Sequence, residues 1–295
     1  MKSIPSPGIK IAIPNTVLHL SRSGPKSDIS ILVEAGATCC SPHYAHLQQE
    51  IAKFMQVYTY DRAGLGWSDL SNNPRDAESI ALELFQLLEA SNINAPLILV
   101  GHSAACFYLR VFAHKYPQWV AAIVLLDPSH PKQESILDSR AYTPAVKRVQ
   151  RKAQWLARLN LIGFYSPVFK LDNPKISTLP ESAKTQLTWI YKQLKTYITS
   201  EAEYAQFSNS AKQALSKPKF NDLPLKVITG PADMVDPVQH QHWMDLQADI
   251  AGWSSIGEHI VFKDAGHMTL FTDKKNAKKV ADEVLIFCQK HGFVT

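Results

Sequence analysis

Short apolar runs alternate with amphipathic stretches through the first 130 residues. Residues 29–33, 56–60, 97–100 and 121–126 read as buried strands, since a continuous apolar run bounded by turn residues suits a strand covered on both faces. Within residues 76–90, Ile80, Leu84, Phe85, Leu87 and Leu88 recur at helical spacing, and Asp76 is placed to cap the first turn. A second helix, over residues 104–115, stops at Pro117. This alternation predicts βαβ units around a largely parallel sheet, with right-handed crossovers. The expected fold class is therefore α/β.

The pattern changes after residue 130. Between Pro131 and Pro218 strand-like runs give way to polar, basic and aromatic residues at helical spacing, which predicts an inserted helical cap over residues 131–218. Residues 1–130 and 219–295 then form one core. Trp155, Phe164, Tyr165, Phe169, Trp189, Tyr191, Tyr197, Tyr204 and Phe207 fall in the cap. Packing within the cap and against the sheet edge accounts for most such aromatics, and the remainder could line a pocket for an apolar substrate. Strand patterning returns at residues 225–229 and 259–262, and a last helix covers residues 275–290.

Composition narrows the picture. A chain of 295 residues that is 45% hydrophobic can bury a large core. The net charge of +5 is mild and the lysines and arginines are scattered, so no nucleic-acid partner is expected. Lys274, Lys275, Lys278 and Lys279 fit the solvated face of the last helix. Cys39, Cys40, Cys106 and Cys288 form no CxxC pair, which points to a reducing, cytoplasmic setting. The first residues lack a signal-peptide core, and no apolar run approaches the length of a membrane span. His240-x-His242 has no accompanying cysteine or carboxylate cluster, so neither metal nor cofactor is expected.

Candidate chemistry sits where the strand at 97–100 breaks at Gly101-His102-Ser103-Ala104-Ala105 and gives way to a helix. Small residues on both sides of a serine at a strand-to-helix turn mark a nucleophile elbow. A serine hydroxyl needs a base and oxyanion donors to act at neutral pH. Two later strand ends carry polar residues: Asp233, after Gly230-Pro231-Ala232, and His267, after Asp264-Ala265-Gly266. Ligands of open α/β sheets bind at such carboxyl ends. The order Ser103, Asp233, His267 is that of α/β hydrolases, not of the two protease lineages. Asp127, which also ends a strand, and Asp236 are alternative acids. His102 is expected to be structural. The backbone N–H of Ala104 and that of Ala37, beside Gly36 in the early loop, are the expected oxyanion donors.

With these motifs in hand, the chain resembles the α/β-hydrolase superfamily, in particular its capped esterase and peptidase-like branch. The resemblance rests on Val33-Glu34-Ala35-Gly36, Tyr60-Asp61-Arg62-Ala63-Gly64-Leu65-Gly66-Trp67-Ser68, Val100-Gly101-His102-Ser103, Val124-Leu125-Leu126-Asp127-Pro128, Gly230-Pro231-Ala232-Asp233 and Asp264-Ala265-Gly266-His267. It implies an α/β-hydrolase fold, with a helix-flanked, mostly parallel sheet, and a cofactor-independent Ser-Asp-His hydrolase. Two departures stand out: Ala35 replaces the histidine of the usual His-Gly loop, and Ala105 replaces a glycine. Epoxide hydrolases and haloalkane dehalogenases share the fold but attack with a carboxylate, which Ser103 argues against. The expected function is cleavage of a carboxylic ester, or related acyl bond, of a small apolar substrate. Carbon–carbon bond hydrolases, perhydrolases and proline iminopeptidase-like enzymes keep the same triad and stay open. So does a ligand sensor that signals through cap movement.

Overall fold

The computed structural model describes residues 4–164, 176 and 178–294. Its centre is an eight-stranded sheet in the order β1-β2-β4-β3-β5-β6-β7-β8. The strands are β1 (Ile9–Ile13), β2 (Thr16–Ser23), β3 (Ser30–Glu34), β4 (Val57–Asp61), β5 (Leu97–His102), β6 (Val120–Leu126), β7 (Leu225–Thr229) and β8 (Glu258–Val261). From β4 to β8 every neighbouring pair is parallel, while β1 and β2 add an antiparallel edge. This is the α/β-hydrolase fold.

Side-chain alternation divides the core between the two faces of the sheet. Leu32, Leu97, Leu99, Ile123, Leu125 and Val227 pack on one face. They meet α2 (Ala77–Ala90) and α3 (Ala105–Lys115). Ile31, Ile98, Val100, Val124, Leu126 and Ile228 pack on the other, against α1 (Ala45–Ile51) and the C-terminal helix Lys274–Lys290. A strand buried on both sides must be apolar at every position, so these strands stand out in the sequence. The edge strands β1 and β2 are partly exposed and were not anticipated.

Between β6 and β7 the chain makes α4 (Pro144–Arg158), α5 (Glu181–Ile190), α6 (Leu194–Ala205) and α7 (Phe207–Leu215). Phe207, Ala211 and Ala214 of α7 join the core formed with α2 and α3, so this last helix packs with the sheet's own layer. Trp189 stacks on Trp67 of the β4 loop at 5.8 Å, and the Tyr197 hydroxyl donates to the Tyr191 carbonyl at 2.5 Å. These aromatics pack as expected. Trp155 does not, being 57% exposed. Tyr165, Phe169 and the Phe164 side chain lie outside the described residues. After β7 comes α8 (Pro237–Ala251). Among the described residues no helix is long and apolar enough to cross a membrane. All four cysteines are buried and free.

Asp76 caps α2 as expected, its Oδ1 accepting from the Ser79 N–H at 3.0 Å. Its Oδ2 also accepts from Gln213 on α7 at 3.0 Å. Asp76→Ala removes a helix cap and a cross-link between helices together, so unfolding in urea should show a loss of about 1–2 kcal/mol.

Candidate active site

Ser103 sits at φ 54°, a left-handed backbone conformation that a side chain adopts at a cost. The strain is locked by hydrogen bonds on both sides: Ser103 N donates to the Leu126 carbonyl at 3.1 Å, and Ser129 N donates to the Ser103 carbonyl at 3.0 Å. Gly101 is needed because a Cβ there would lie 2.6 Å from Leu109 and 3.3 Å from the Ala105 methyl. Ala105 is tolerated in the elbow because Gly101 leaves that space.

His267 lies in the loop after β8, with its side chain 34% exposed. Its Nδ1 donates to Asp127 Oδ2 at 2.6 Å. Asp127 directly follows β6, is itself left-handed at φ 42°, and is 2% exposed. Its other oxygen accepts from Gly230 N at 3.2 Å and from the Trp243 indole at 3.0 Å. Both carboxylate oxygens are therefore engaged, and one of them fixes the imidazole with its proton on Nδ1. The Nε2 lone pair is then available to take a proton.

The expected acid, Asp233, is placed differently. Its Oδ2 accepts the backbone N–H of His267 at 2.9 Å, and its side chain lies at the surface of a short 3-10 turn, Pro231–Asp233. Asp233 orients the His267 backbone, whereas Asp127 holds the ring. Asp236 is committed as the cap of α8, accepting from Gln239 N at 2.8 Å. The order of the facing residues along the chain is thus Ser103, Asp127, His267. Asp127 and Asp233 both follow strand ends, and what separates them is the turn at Asp127, which sends its carboxylate beneath the imidazole.

Ser103 and His267 line one cavity of about 670 Å³. The Ser103 hydroxyl lies 3.5 Å from the Ser129 hydroxyl, and among the described residues it makes no hydrogen bond to the imidazole. Hydroxyl–imidazole contacts are commonly long before substrate arrives. Sequence reasoning missed Ser129, although Asp127-Pro128-Ser129 directly follows a strand end.

The early loop is held by a buried arginine. Arg62 donates to Glu203 on α6, Nε to Oε1 at 2.7 Å and Nη2 to Oε2 at 3.0 Å. It also donates to Glu34 at 2.7 Å, to the Ala35 carbonyl, and to the Gly36 carbonyl at 2.8 Å. Burial alone would lower the arginine's pKa, but the two carboxylates raise it well above its ordinary value. Burial pushes Glu34 up, against Arg62 and the Tyr60 hydroxyl, which pull it down. Glu203 also accepts from Thr38 N at 2.6 Å. Glu34 and Glu203 were not anticipated as a pair. A charged residue closing the apolar run of β3 was a signal for Glu34; Glu203 carried none.

Around Ala37, then, the loop's polar groups are occupied: Gly36 N donates to the Tyr44 hydroxyl at 2.9 Å, and Cys39 N donates to the Gly36 carbonyl at 3.1 Å. Ala37 itself lines the cavity, and among the described residues neither its N–H nor that of Ala104 makes a hydrogen bond. Two backbone donors are thereby left for a ligand.

His102 ties this loop to the histidine loop. Its Nε2 faces the His267 carbonyl at 3.1 Å, and a carbonyl can only accept, so Nε2 carries the proton. Its Nδ1 therefore accepts from the Tyr44 hydroxyl at 3.1 Å. Burial, helped by His267, holds His102 well below its ordinary pKa, in keeping with a neutral ring. Gly36 is required here, because a Cβ would lie 2.5 Å from His102 Nδ1. His240 and His242 sit on α8, and among the described residues no group of His, Cys, Asp and Glu side chains is placed to hold a metal.

Comparison with known proteins bears on the family and the fold. A family model described as "Alpha/beta hydrolase family" matches residues 31–283. The chain belongs to the alpha/beta hydrolase family. The uncharacterized protein YqjL of Bacillus subtilis is 32% identical over 117 residues, 40% of this chain and 46% of that protein. This family member thus spans less than half the length of the first curated relatives it matches. A thermophilic esterase from Thermogutta terrifontis superposes with a TM-score of 0.63 at 18% identity, covering 96% of this chain and 98% of that one. The Cif epoxide hydrolase of Acinetobacter nosocomialis does so with a TM-score of 0.71 at 16% identity, covering 95% and 88%. At such identities the likeness speaks for the shared fold.

Buried neutral histidines also set an acid limit on stability. Burial lowers His43 from 6.5 to about 4, and His102 is depressed as well. Below pH 6.5 the unfolded chain binds protons that the folded chain refuses, so stability is intact above that value and is lost as pH falls toward 4. Each histidine contributes a slope of up to about 1.4 kcal/mol per pH unit. Urea midpoints should fall across this window, and less steeply in His43→Gln. An unchanged slope in that variant would rule the assignment out.

Proposed function

We propose that this alpha/beta hydrolase is a serine hydrolase that cleaves a carboxylic ester, or a related acyl bond, through an acyl-enzyme on Ser103. The observation that carries the reading is the 2.6 Å contact from His267 Nδ1 to Asp127, made beside a serine held at φ 54°. In this scheme the Ser103 oxygen attacks the acyl carbon while His267 Nε2 takes its proton. Charge developing on the carbonyl oxygen is met by the N–H groups of Ala37 and Ala104. The imidazolium then gives its proton to the leaving alkoxide, and the C–O bond to the alcohol breaks. Water enters, His267 removes its proton, and attack on the acyl-enzyme releases the acid and restores the Ser103 hydroxyl. Asp127 keeps the ring in the working tautomer throughout, and Asp233 orients its backbone.

The helices over residues 131–218 act in this reading as a cap that shapes the substrate site. The cavity wall mixes apolar side chains, Leu137, Ile176, Phe207 and Met268 among them, with the hydroxyls of Thr38, Tyr191 and Ser200. Gln150 also reaches it, with a buried Oε1 that has no partner among the described residues. A hydroxyl or N–H on the substrate would satisfy that oxygen, so the substrate we propose is small and largely apolar but carries one donor. The four buried free thiols fit a reducing cytoplasm.

Activated aryl esters such as p-nitrophenyl acetate should give a burst of phenolate, and a fluorophosphonate should label Ser103. Ser103→Ala should abolish both. Asp127→Asn should lower kcat/KM by roughly 10³- to 10⁴-fold, through the wrong histidine tautomer. Asp233→Asn should stay within about tenfold of the parent. If the two aspartate variants behave in the reverse order, Asp233 is the acid; full activity in Ser103→Ala would end the proposal. Rapid repeated turnover separates an enzyme from a ligand sensor.

A further inference from the structure

We infer that the outward face of α4 docks this protein on an anionic lipid surface. The helix has the sequence PAVKRVQRKAQWLAR, with five cations and no carboxylate. Its inner face packs through Ala153 and Ala157 and carries Gln150 to the cavity. Arg148, Lys152, Trp155 and Leu159 follow one another at helical spacing on the opposite face, flanked by Arg151 and Arg158. Trp155 is 57% and Leu159 49% exposed, with Leu161 at 42% just beyond the helix end. Arg151 reaches Glu201 of α6 at 3.4 Å, a loose contact at the edge of a face otherwise lined by arginine and lysine.

Exposed tryptophan and leucine set among arginines and lysines is the composition of a helix lying in the headgroup layer, with its rings and alkyl chains at the acyl boundary and its cations on phosphates. A nucleic acid would engage the cations but gives no reason for the exposed leucines. A second copy of the chain, docked through the same face, would set cations against cations. At 15 residues the helix is about 22 Å long and suits lying on a bilayer, not crossing one. Docking there sets the wall that carries Gln150 directly behind the lipid surface.

The test is co-sedimentation of the full chain with phosphatidylcholine vesicles, with and without about 30% phosphatidylserine, at low and high salt. Binding should favour the anionic vesicles by at least about tenfold, and that preference should collapse at high salt. Arg148→Glu with Arg158→Glu should cost about tenfold or more, since each cation near the surface is worth about fivefold. Trp155→Ser should weaken binding to vesicles, with circular dichroism checking that both variants are folded. As a conservative alternative, Trp155→Phe should remove fluorescence quenching by brominated lipid while binding persists. Equal partition to neutral and anionic vesicles would overturn the proposal, as would wild-type binding by the charge variant. Equally tight binding to duplex DNA that ignores Trp155→Ser would also overturn it and assign the face to a polyanion.

Discussion

A guanidinium has five N–H donors, and all five of those on Arg62 are committed: two to Glu203, one to Glu34, and one each to the carbonyls of Ala35 and Gly36. The group is buried, so each contact is made away from water, where leaving a partner unpaired costs several kcal/mol. Three parts of the molecule meet on this one side chain. Glu34 ends β3, Ala35 and Gly36 open the loop that follows it, and Glu203 comes from a helix inserted between β6 and β7. By taking the loop's carbonyls, Arg62 fixes the peptide planes on either side of Gly36, and this sets the direction of the Ala37 N–H. Lysine could not replace it, since an ammonium has three donors and no fixed plane.

Asp61, the residue before Arg62, is also buried. It accepts from the Ser41 N–H and hydroxyl, from Trp67 N and from His19. Burial would raise its pKa, but His19 and Ser41 bring it below the usual value. Two adjacent charged residues where β4 ends thus hold the segment after β3 at two points, Arg62 at Ala35 and Gly36 and Asp61 at Ser41, and Asp61 ties it to Trp67 as well.

Most of the sheet was legible in the sequence, because a strand covered on both faces must be apolar throughout and a capped amphipathic helix announces its ends. The elbow was legible for a related reason: Gly101, Ser103 and Ala105 are constrained by contacts within a few residues of each other. The acid was not. Asp127 and Asp233 both follow buried strands, and β6 and β7 are neighbours, so the histidine loop could lean on either. What decides between them is a left-handed turn at Asp127 and two donors, Gly230 N and Trp243, which come from residues more than a hundred positions away. Glu203 was illegible for the same reason, since nothing in a polar helix distinguishes a carboxylate that will face a buried arginine.

These long-range contacts explain how the early loop is held although Ala35 stands where the family pattern has a histidine. Ala35 brings no polar side chain to the early loop, yet the loop is held from Arg62, Tyr44 and Glu203 instead. The Tyr44 contact continues through His102 to the His267 carbonyl, so the loop that presents Ala37 and the loop that presents His267 are joined by one chain of hydrogen bonds. That chain has a direction. Gly36 N–H donates to Tyr44, Tyr44 to His102 and His102 to the carbonyl. A second proton on His102 would leave Tyr44 with no acceptor and break the line. Desolvation of His102 therefore does more than exclude a charge from the core: it keeps the Ala37 N–H of one loop in register with the His267 imidazole on the other.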